Sequence, residues 1–78
     1  MKVYYVRFCG EHHGCIDNMS EEYRCGICIS KERAERLINE EVERDGEEII
    51  SHDGDIYSVN SPYYEEAWYE IAEVDVLE

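Results

Sequence analysis

The second half of the chain lacks basic residues. All seven Lys and Arg residues lie within residues 1–45 of the 78-residue sequence, whereas the twenty Asp and Glu residues are divided equally between residues 1–45 and 46–78. The formal net charge is −13. Direct binding of nucleic acid is therefore disfavoured, because it requires a cationic face. Two interpretations stay open: electrostatic steering toward a basic partner, or an acidic surface without a partner.

Long apolar runs are also missing. No run of 18 apolar residues occurs, and the N-terminal residues Met1 to Arg7 lack the apolar core and cleavage site of a secretion signal. We therefore expect a cytoplasmic protein that has no contact with a membrane.

The shortness of the chain limits its chemistry. Seventy-eight residues predict a single domain, residues 1–78, which buries only about 60–65% of the surface that its unfolded chain exposes. We expect no deep catalytic cleft and hence no enzyme activity. Hydrophobic residues make up 44% of the sequence and include seven Tyr, which is enough for a folded core.

Two segments before residue 30 have the composition of strands. Residues 2–9 carry apolar side chains on both faces, which predicts a central strand. Residues 23–29 alternate, and a regular strand would place Cys25 and Ile27 on one face and Cys28 on the other. Between the two strands, residues 10–14 are interpreted as a loop and residues 18–22 as turn-like. Residues 15–16 either begin another strand or continue the connection.

A helix is predicted to begin after Ser30 and to stop at Gly46. Ser30 is a plain N-cap, since Arg33 stands where a capping box needs Glu or Gln. Gly46 suits the left-handed position after a helix end. The apolar side chains at helical spacing predict one stripe that packs on the sheet. They are Ala34, Leu37, Ile38 and Val42.

The remainder predicts a hairpin and a final strand. Asp53-Gly54 between two runs of β-formers indicates a type I′ turn. Residues 62–72 could form a helix, but we favour a strand over residues 68–77. A strand there would need a bulge near Ala72 and Glu73 to bury both Tyr69 and Val74. The predicted fold class is α+β: a small, mainly antiparallel sheet of four or five strands with one amphipathic helix packed on one face.

Three short pieces carry a resemblance to a known family. They are "KVYYV" at the start, "GICISKERAERLI" at the turn into the helix, and "WYEIAEVDV" near the end. Together they resemble a family of small acidic phage and prophage proteins of unknown function that look like a β-β-α-β unit. The resemblance implies this fold and a phage context. It implies no activity.

The cysteines and adjacent histidines form a possible ligand set for tetrahedral zinc. Donors would have to converge from two short knuckles, and a regular strand would keep the two thiols of the CxxC pair apart. A bulge at Gly26 is the alternative that would turn the pair into a knuckle. Two alternatives stay open: the cysteines are buried hydrophobes, or Cys9 and Cys15 form a disulfide. A thioredoxin-like dithiol is disfavoured, because the helix does not begin directly after Cys25. The possible zinc ligands are Cys9, His12 or His13, Cys15, Cys25 and Cys28.

The acidic aromatic segment near the C-terminus is the predicted partner-binding site. Interface cores are enriched in Tyr and Trp, and alternate acids on one side of a strand would lie about 6.5–7 Å apart, close to the phosphate spacing of nucleic acid. The alternative is that these aromatic residues form the core. The candidate residues are Asp55, Tyr57, Tyr63, Tyr64, Glu65, Glu66, Trp68, Glu70, Glu73 and Asp75.

Two hypotheses about function follow. The first is a non-enzymatic phage-type inhibitor, anti-CRISPR or otherwise anti-defence or host-takeover in role. It would mimic nucleic acid and bind a basic, nucleic-acid-binding host protein in the bacterial cytoplasm without a cofactor. The second is a small structural or regulatory module stabilised by zinc. Either would be a monomer or a homodimer formed through an exposed strand edge.

Overall fold

Five antiparallel strands form one sheet, and a helix lies on one of its faces. The computed structural model describes residues 1–13, 18–62 and 64–77, with residues 12, 13, 18–21 and 23 described by their backbone only. The strand order is β2-β1-β5-β4-β3, so the α+β prediction is confirmed. The elements are β1 (Lys2–His13), β2 (Asn18–Cys28), α1 (Lys31–Arg44), β3 (Glu48–Asp53), β4 (Ile56–Asn60) and β5 (Glu66–Asp75).

The core lies between the helix and the central strands. β1 pairs with both β2 and β5, as the apolar character of its two faces predicted. We call the side of the sheet that packs against α1 the inner face and the opposite side the outer face. Side chains alternate between the two faces along each strand. The buried core consists of Val6, Phe8, Ala34, Ile38, Val42, Tyr57, Val59, Ala67, Tyr69 and Ile71.

The helix begins and ends where the sequence predicts. The Ser30 hydroxyl accepts a hydrogen bond from the Arg33 backbone N–H at 3.2 Å, which satisfies a donor of the first turn. At the other end Gly46 has a φ of 69°, a left-handed conformation that glycine adopts without strain. Arg44 forms ion pairs with Glu41 and Asp45, which stabilises the last turn. In the part of the chain that is described, no helix has the length and apolar character needed to cross a membrane.

A β-bulge in β2 corrects the predicted positions of its cysteines. Val6 pairs with Gly26 but Arg7 pairs with Arg24, so Cys25 is the extra residue. Cys25 and Cys28 therefore both pack against the core on the inner face. The side chain of Ile27 points outward and is 57% exposed. A regular alternation through residues 23–29 was the wrong expectation, because a bulge changes which face each later residue occupies.

The hairpin of β1 and β2 is longer than predicted. The two strands pair as far as His13 and Asn18, so residues 10–13 are strand rather than loop and residues 18–22 are strand rather than turn. Their polar composition does not prevent pairing, because main-chain hydrogen bonds form whatever the side chains are. Gly14 and the proposed strand at residues 15–16 lie outside the described residues.

The turn between β3 and β4 is not the type I′ turn expected. Asp53 pairs with Ile56, so the two loop residues are Gly54 and Asp55. Gly54 has a φ of 62°, whereas no residue other than glycine has a positive φ among those described. A type I′ turn needs positive φ at both positions, so the geometry is that of type II′ with glycine first.

The last strand is confirmed, but it has no bulge. β5 pairs with β1 in one unbroken register from Glu66 to Asp75. Val74 therefore points outward and is 45% exposed, while Tyr69 is buried and donates its hydroxyl to Glu47 at 2.7 Å. The bulge expected near Ala72 and Glu73 was wrong. The strand does not bury all its apolar side chains on one face, and it keeps Val74 on the outer face instead.

Candidate protein-binding surface

The outer face of the sheet has no second layer of described structure over it. α1 packs its apolar stripe on the inner face alone, which leaves the outer side chains of the central strands at least partly accessible from solvent, with the exception of Cys9. From the strand registers, the middle and acidic end of this face carry a mixed set of charged, aromatic and thiol side chains. They are Arg7, Cys9 and Glu11 from β1, Glu22 and Arg24 from β2, and Glu66, Trp68 and Glu70 from β5.

An ion-pair network fixes the middle of this face. Arg7 donates from Nε to Glu70 Oε2 at 3.1 Å and pairs with the same carboxylate through Nη2. Its Nη1 donates to Glu22 at 2.9 Å. The Trp68 indole N–H donates to the other oxygen of Glu70, also at 2.9 Å. The hydrogen bonds from Arg7, and then the one from Trp68, lower the pKa of Glu70 below its usual value.

A groove opens beside Trp68. It has a volume of about 270 Å³ and lies between β5, β4 and the bulged residue of β3. Ile50 is 65% exposed there, and Glu65 and Glu66 are also exposed. The groove thus combines an aromatic wall and an aliphatic wall with carboxylates. Its lining residues are Ile50, Ser58, Val59, Glu65, Glu66, Ala67 and Trp68.

Acidic residues gather at the same end of the outer face. Glu11 and Glu66 occupy directly opposed positions on β1 and β5, and Glu22 is opposite Cys9. The backbone N–H of Glu65 donates to the Glu11 carbonyl at 3.0 Å, which holds Glu65 next to this pair. We call Glu11, Glu22, Glu65 and Glu66 the acidic rim. Four acidic residues thus occupy one end of the outer face.

The structure brings together only part of the predicted partner-binding set. Glu65, Glu66 and Trp68 line the groove, and Glu70 is hydrogen-bonded to Trp68 beside it. Tyr57 is buried at 6% exposure in the core, where its side chain cannot form part of a binding surface. Tyr64 is half-buried and packs on Phe8, with ring centroids 5.3 Å apart. Tyr63 lies outside the described residues.

The remaining predicted acids lie elsewhere and have cationic partners nearby. Glu73 and Asp75 occupy inner-face positions of β5, where Lys2 pairs with Glu73 at 3.5 Å. Asp55 lies in the β3–β4 turn and pairs with Lys31 at 3.2 Å. Lys2 and Lys31, from the first half of the chain, thus partly neutralise the acidic residues of the second half, which contains no Lys or Arg.

The expected phosphate-like row of acids is not formed. Glu66 and Glu70 are on the outer face but are four residues apart, about 13 Å along a strand, with Trp68 between them. Glu73 points to the opposite face. The surface therefore matches the charge of nucleic acid but not its regular spacing, because acids at positions 70 and 73 differ in strand parity.

The described cysteines do not converge. Cys9 is buried on the outer face opposite Trp68, whereas Cys25 and Cys28 are on the inner face. Burial raises the pKa of the Cys25 thiol to about 11, so the metal-free protein carries this thiol protonated at neutral pH. Among the described side chains, no group of three or more His, Cys, Asp or Glu could hold a metal ion. Cys15 and the side chains of His12 and His13 lie outside the description, so zinc binding that involves them stays a prediction.

Sequence reasoning missed several residues of this surface. Arg7, Glu11 and Glu22 become neighbours of Trp68 only through pairing of β1 with β5 and β2, which no local pattern reveals. Ile50 reaches the groove where the β3–β4 register shifts between Ile49 and Ser51. The one available signal was the apolar content of both faces of β1, which indicated a strand with neighbours on both sides.

Comparison of the chain with protein-family models, with curated proteins and with solved structures gives no significant match.

Proposed function

We propose that this protein is a non-enzymatic inhibitor that binds a basic host protein through the acidic end of its outer face. The observation that carries the proposal is the juxtaposition of Trp68, in an open groove, with the acidic rim. Interface hot spots are typically aromatic anchors surrounded by polar groups. A net charge of −13 would draw such an anchor toward a cationic surface.

The proposed partner is a nucleic-acid-binding protein whose cationic groove the inhibitor occupies. The acidic rim would replace the charge of the nucleic acid in that groove, although its side chains do not repeat the phosphate spacing. Together with the resemblance to small phage and prophage proteins, this supports an anti-defence role, such as anti-CRISPR, or a host-takeover role in the bacterial cytoplasm. No cofactor takes part in this mode of action.

Affinity capture with charge-reversed bait tests the proposal. Bacterial lysate treated with nuclease is passed over wild-type protein and over E65K/E66K, and bound proteins are quantified at 50 and 500 mM NaCl. The proposal expects a nucleic-acid-binding protein that the wild type captures and the variant does not. High salt and added duplex DNA should both release it.

A matched variant separates the site from net charge. E40K/E43K changes the charge by the same amount at two exposed positions of α1. Capture by E40K/E43K should resemble capture by the wild type. Equal loss of binding in both variants, or capture that salt does not weaken, would contradict a specific acidic docking surface.

A further inference from the structure

We infer that the groove beside Trp68 binds the side chain of an arginine presented by the basic partner. The inference rests on the proposed function and names the chemical group that the site takes. It follows from the size of the groove, the nature of its walls and the charges beside it.

The size of the groove suits one long side chain. Its volume of about 270 Å³ is below the roughly 300–1,000 Å³ of sites that enclose a drug-sized ligand or cofactor. Ile50, which is 65% exposed, provides aliphatic surface on which the methylene groups of such a side chain can pack. A long amphipathic side chain therefore matches the groove better than a compact polar ligand does.

The charges beside the groove favour a cationic ligand. Two of the lining residues are carboxylates, Glu65 and Glu66, and none of the described lining residues is basic. Glu11 is directly opposite Glu66 on the neighbouring strand and adds negative potential. A single positive charge placed here would interact with several carboxylates at once.

Trp68 favours a guanidinium over an ammonium. Its indole N–H is bound to Glu70, which Arg7 holds in turn, so the orientation of the ring is fixed before a ligand arrives. A planar guanidinium can stack on an indole and at the same time form paired hydrogen bonds with a carboxylate. A lysine ammonium is more strongly hydrated and cannot form the paired hydrogen bonds with a carboxylate.

The test is an NMR titration of the ¹⁵N-labelled protein with N-acetyl-arginine amide at constant ionic strength. Trp68 is the only tryptophan, so the spectrum contains one indole N–H signal, which reports directly on the groove. N-acetyl-lysine amide has the same charge, and N-acetyl-citrulline amide has nearly the same shape without the charge. We expect a saturable shift of the indole signal with arginine, binding at least about threefold weaker with lysine, and no saturable shift with citrulline.

Two variants establish where the probe binds. E65Q/E66Q should weaken arginine binding at least about threefold, whereas E40Q/E43Q, with the same change of charge on α1, should leave it unchanged. Equal binding of arginine and lysine, or shifts spread over all acidic residues, would overturn the inference. Undiminished arginine binding by E65Q/E66Q would also overturn the inference.

The outcomes separate the groove from the proposed function. A partner that wild type captures, that E65K/E66K fails to capture and that shifts the indole signal, together with no saturable shift from N-acetyl-arginine amide, would support the proposed function and overturn the arginine site. Saturable, selective arginine binding without any salt-sensitive partner would support the arginine site and contradict the proposed inhibitor.

Discussion

At the scale of single residues, Glu70 holds the outer face in order. It accepts hydrogen bonds from Arg7 and Trp68, which come from different strands. Its carboxylate is therefore a structural group, even though the sequence suggests a binding group. Reversing its charge would disturb the fold before it tested any interface, which is why the capture experiment changes Glu65 and Glu66 instead.

Replacement of this carboxylate by an amide should destabilise the protein. Glu70→Gln is expected to lower the free energy of unfolding at pH 7 by about 1–2 kcal/mol, because a hydrogen-bonded ion pair is lost in a partly exposed setting. Urea denaturation measures the change. Glu48→Gln is the control, since Glu48 lies exposed at the start of β3 and its loss should cost less than about 0.5 kcal/mol.

The stability difference between wild type and Glu70→Gln should also depend on pH. The folded-state pKa of Glu70 is lowered, so its contribution is complete above the unfolded value near 4.5 and is lost as the pH falls through the folded value. The stability difference between wild type and Glu70→Gln should therefore shrink steadily below about pH 4.5. A difference that stays constant down to pH 3 would mean that Arg7 and Trp68 do not stabilise the charged form.

At the scale of elements, Gly10 allows strand β1 to pass beneath an aromatic ring. A Cβ atom at this position would lie 2.6–2.8 Å from the ring of Tyr64, which itself packs on Phe8. Gly10→Ala should lower the free energy of unfolding by about 1–3 kcal/mol, because the ring must move. Combination with Tyr64→Leu should cost clearly less than the sum of the two single changes. Additive costs would show that the ring and the glycine are not in contact.

Sequence predicted the elements that local patterns specify. The cap at Ser30, the glycine at 46 and the apolar stripe that includes Ile38 define α1 without reference to the sheet. The extent of β2 was not predictable, because residues 18–22 have no β-forming pattern and pair only because β1 offers a partner. A bulge in this strand was an open alternative because of Gly26, and the register makes the neighbouring Cys25 the extra residue.

The candidate site was predictable only in part, for a related reason. Trp68 and its acidic neighbours in sequence were identified from composition. Which of them share a face depends on whether β5 contains a bulge, and the expected bulge would have changed the parity of Val74 relative to Trp68. The position of Arg7 beside Glu70 depends on strand register, which is a property of the assembled sheet.

The bulged strand β2 leads to a test of the zinc alternative. Cys25 and Cys28 share a face, but among the described side chains no third His, Cys, Asp or Glu joins them to complete a metal site. We expect the melting temperature to be unchanged by a strong chelator such as EDTA under reducing conditions. A fall of several degrees that added zinc reverses would establish a metal site and contradict this account of the cysteines.

At the scale of the whole molecule, the acidic charge opposes folding. Basic side chains form ion pairs with acids that include Glu22, Glu41, Asp45, Asp55, Glu70 and Glu73. The net charge is still −13, so the excess carboxylates repel one another within a small volume. The acidic rim lies where the proposed partner would bind.

Salt that screens the repulsion between carboxylates should therefore stabilise the protein in the absence of a partner. An increase from 10 to 200 mM NaCl should raise the free energy of unfolding by about 1 kcal/mol, or the melting temperature by roughly 4–8 °C. Choline chloride at the same ionic strength should act equally, since no specific ion is involved. A lower melting temperature at high salt would mean that the ion pairs outweigh the self-repulsion.

The most direct test of the central claim follows the indole N–H signal of Trp68 while an unlabelled captured partner is added to the ¹⁵N-labelled protein. The proposed binding mode predicts that this signal and the backbone signals of Glu65, Glu66 and Glu22 shift or broaden at 50 mM NaCl. Signals from the exposed side of α1, such as those of Glu40 and Glu43, should then change no more than the overall tumbling rate requires. Changes confined to α1, with the Trp68 signal unmoved at saturating partner, would contradict binding through the outer face.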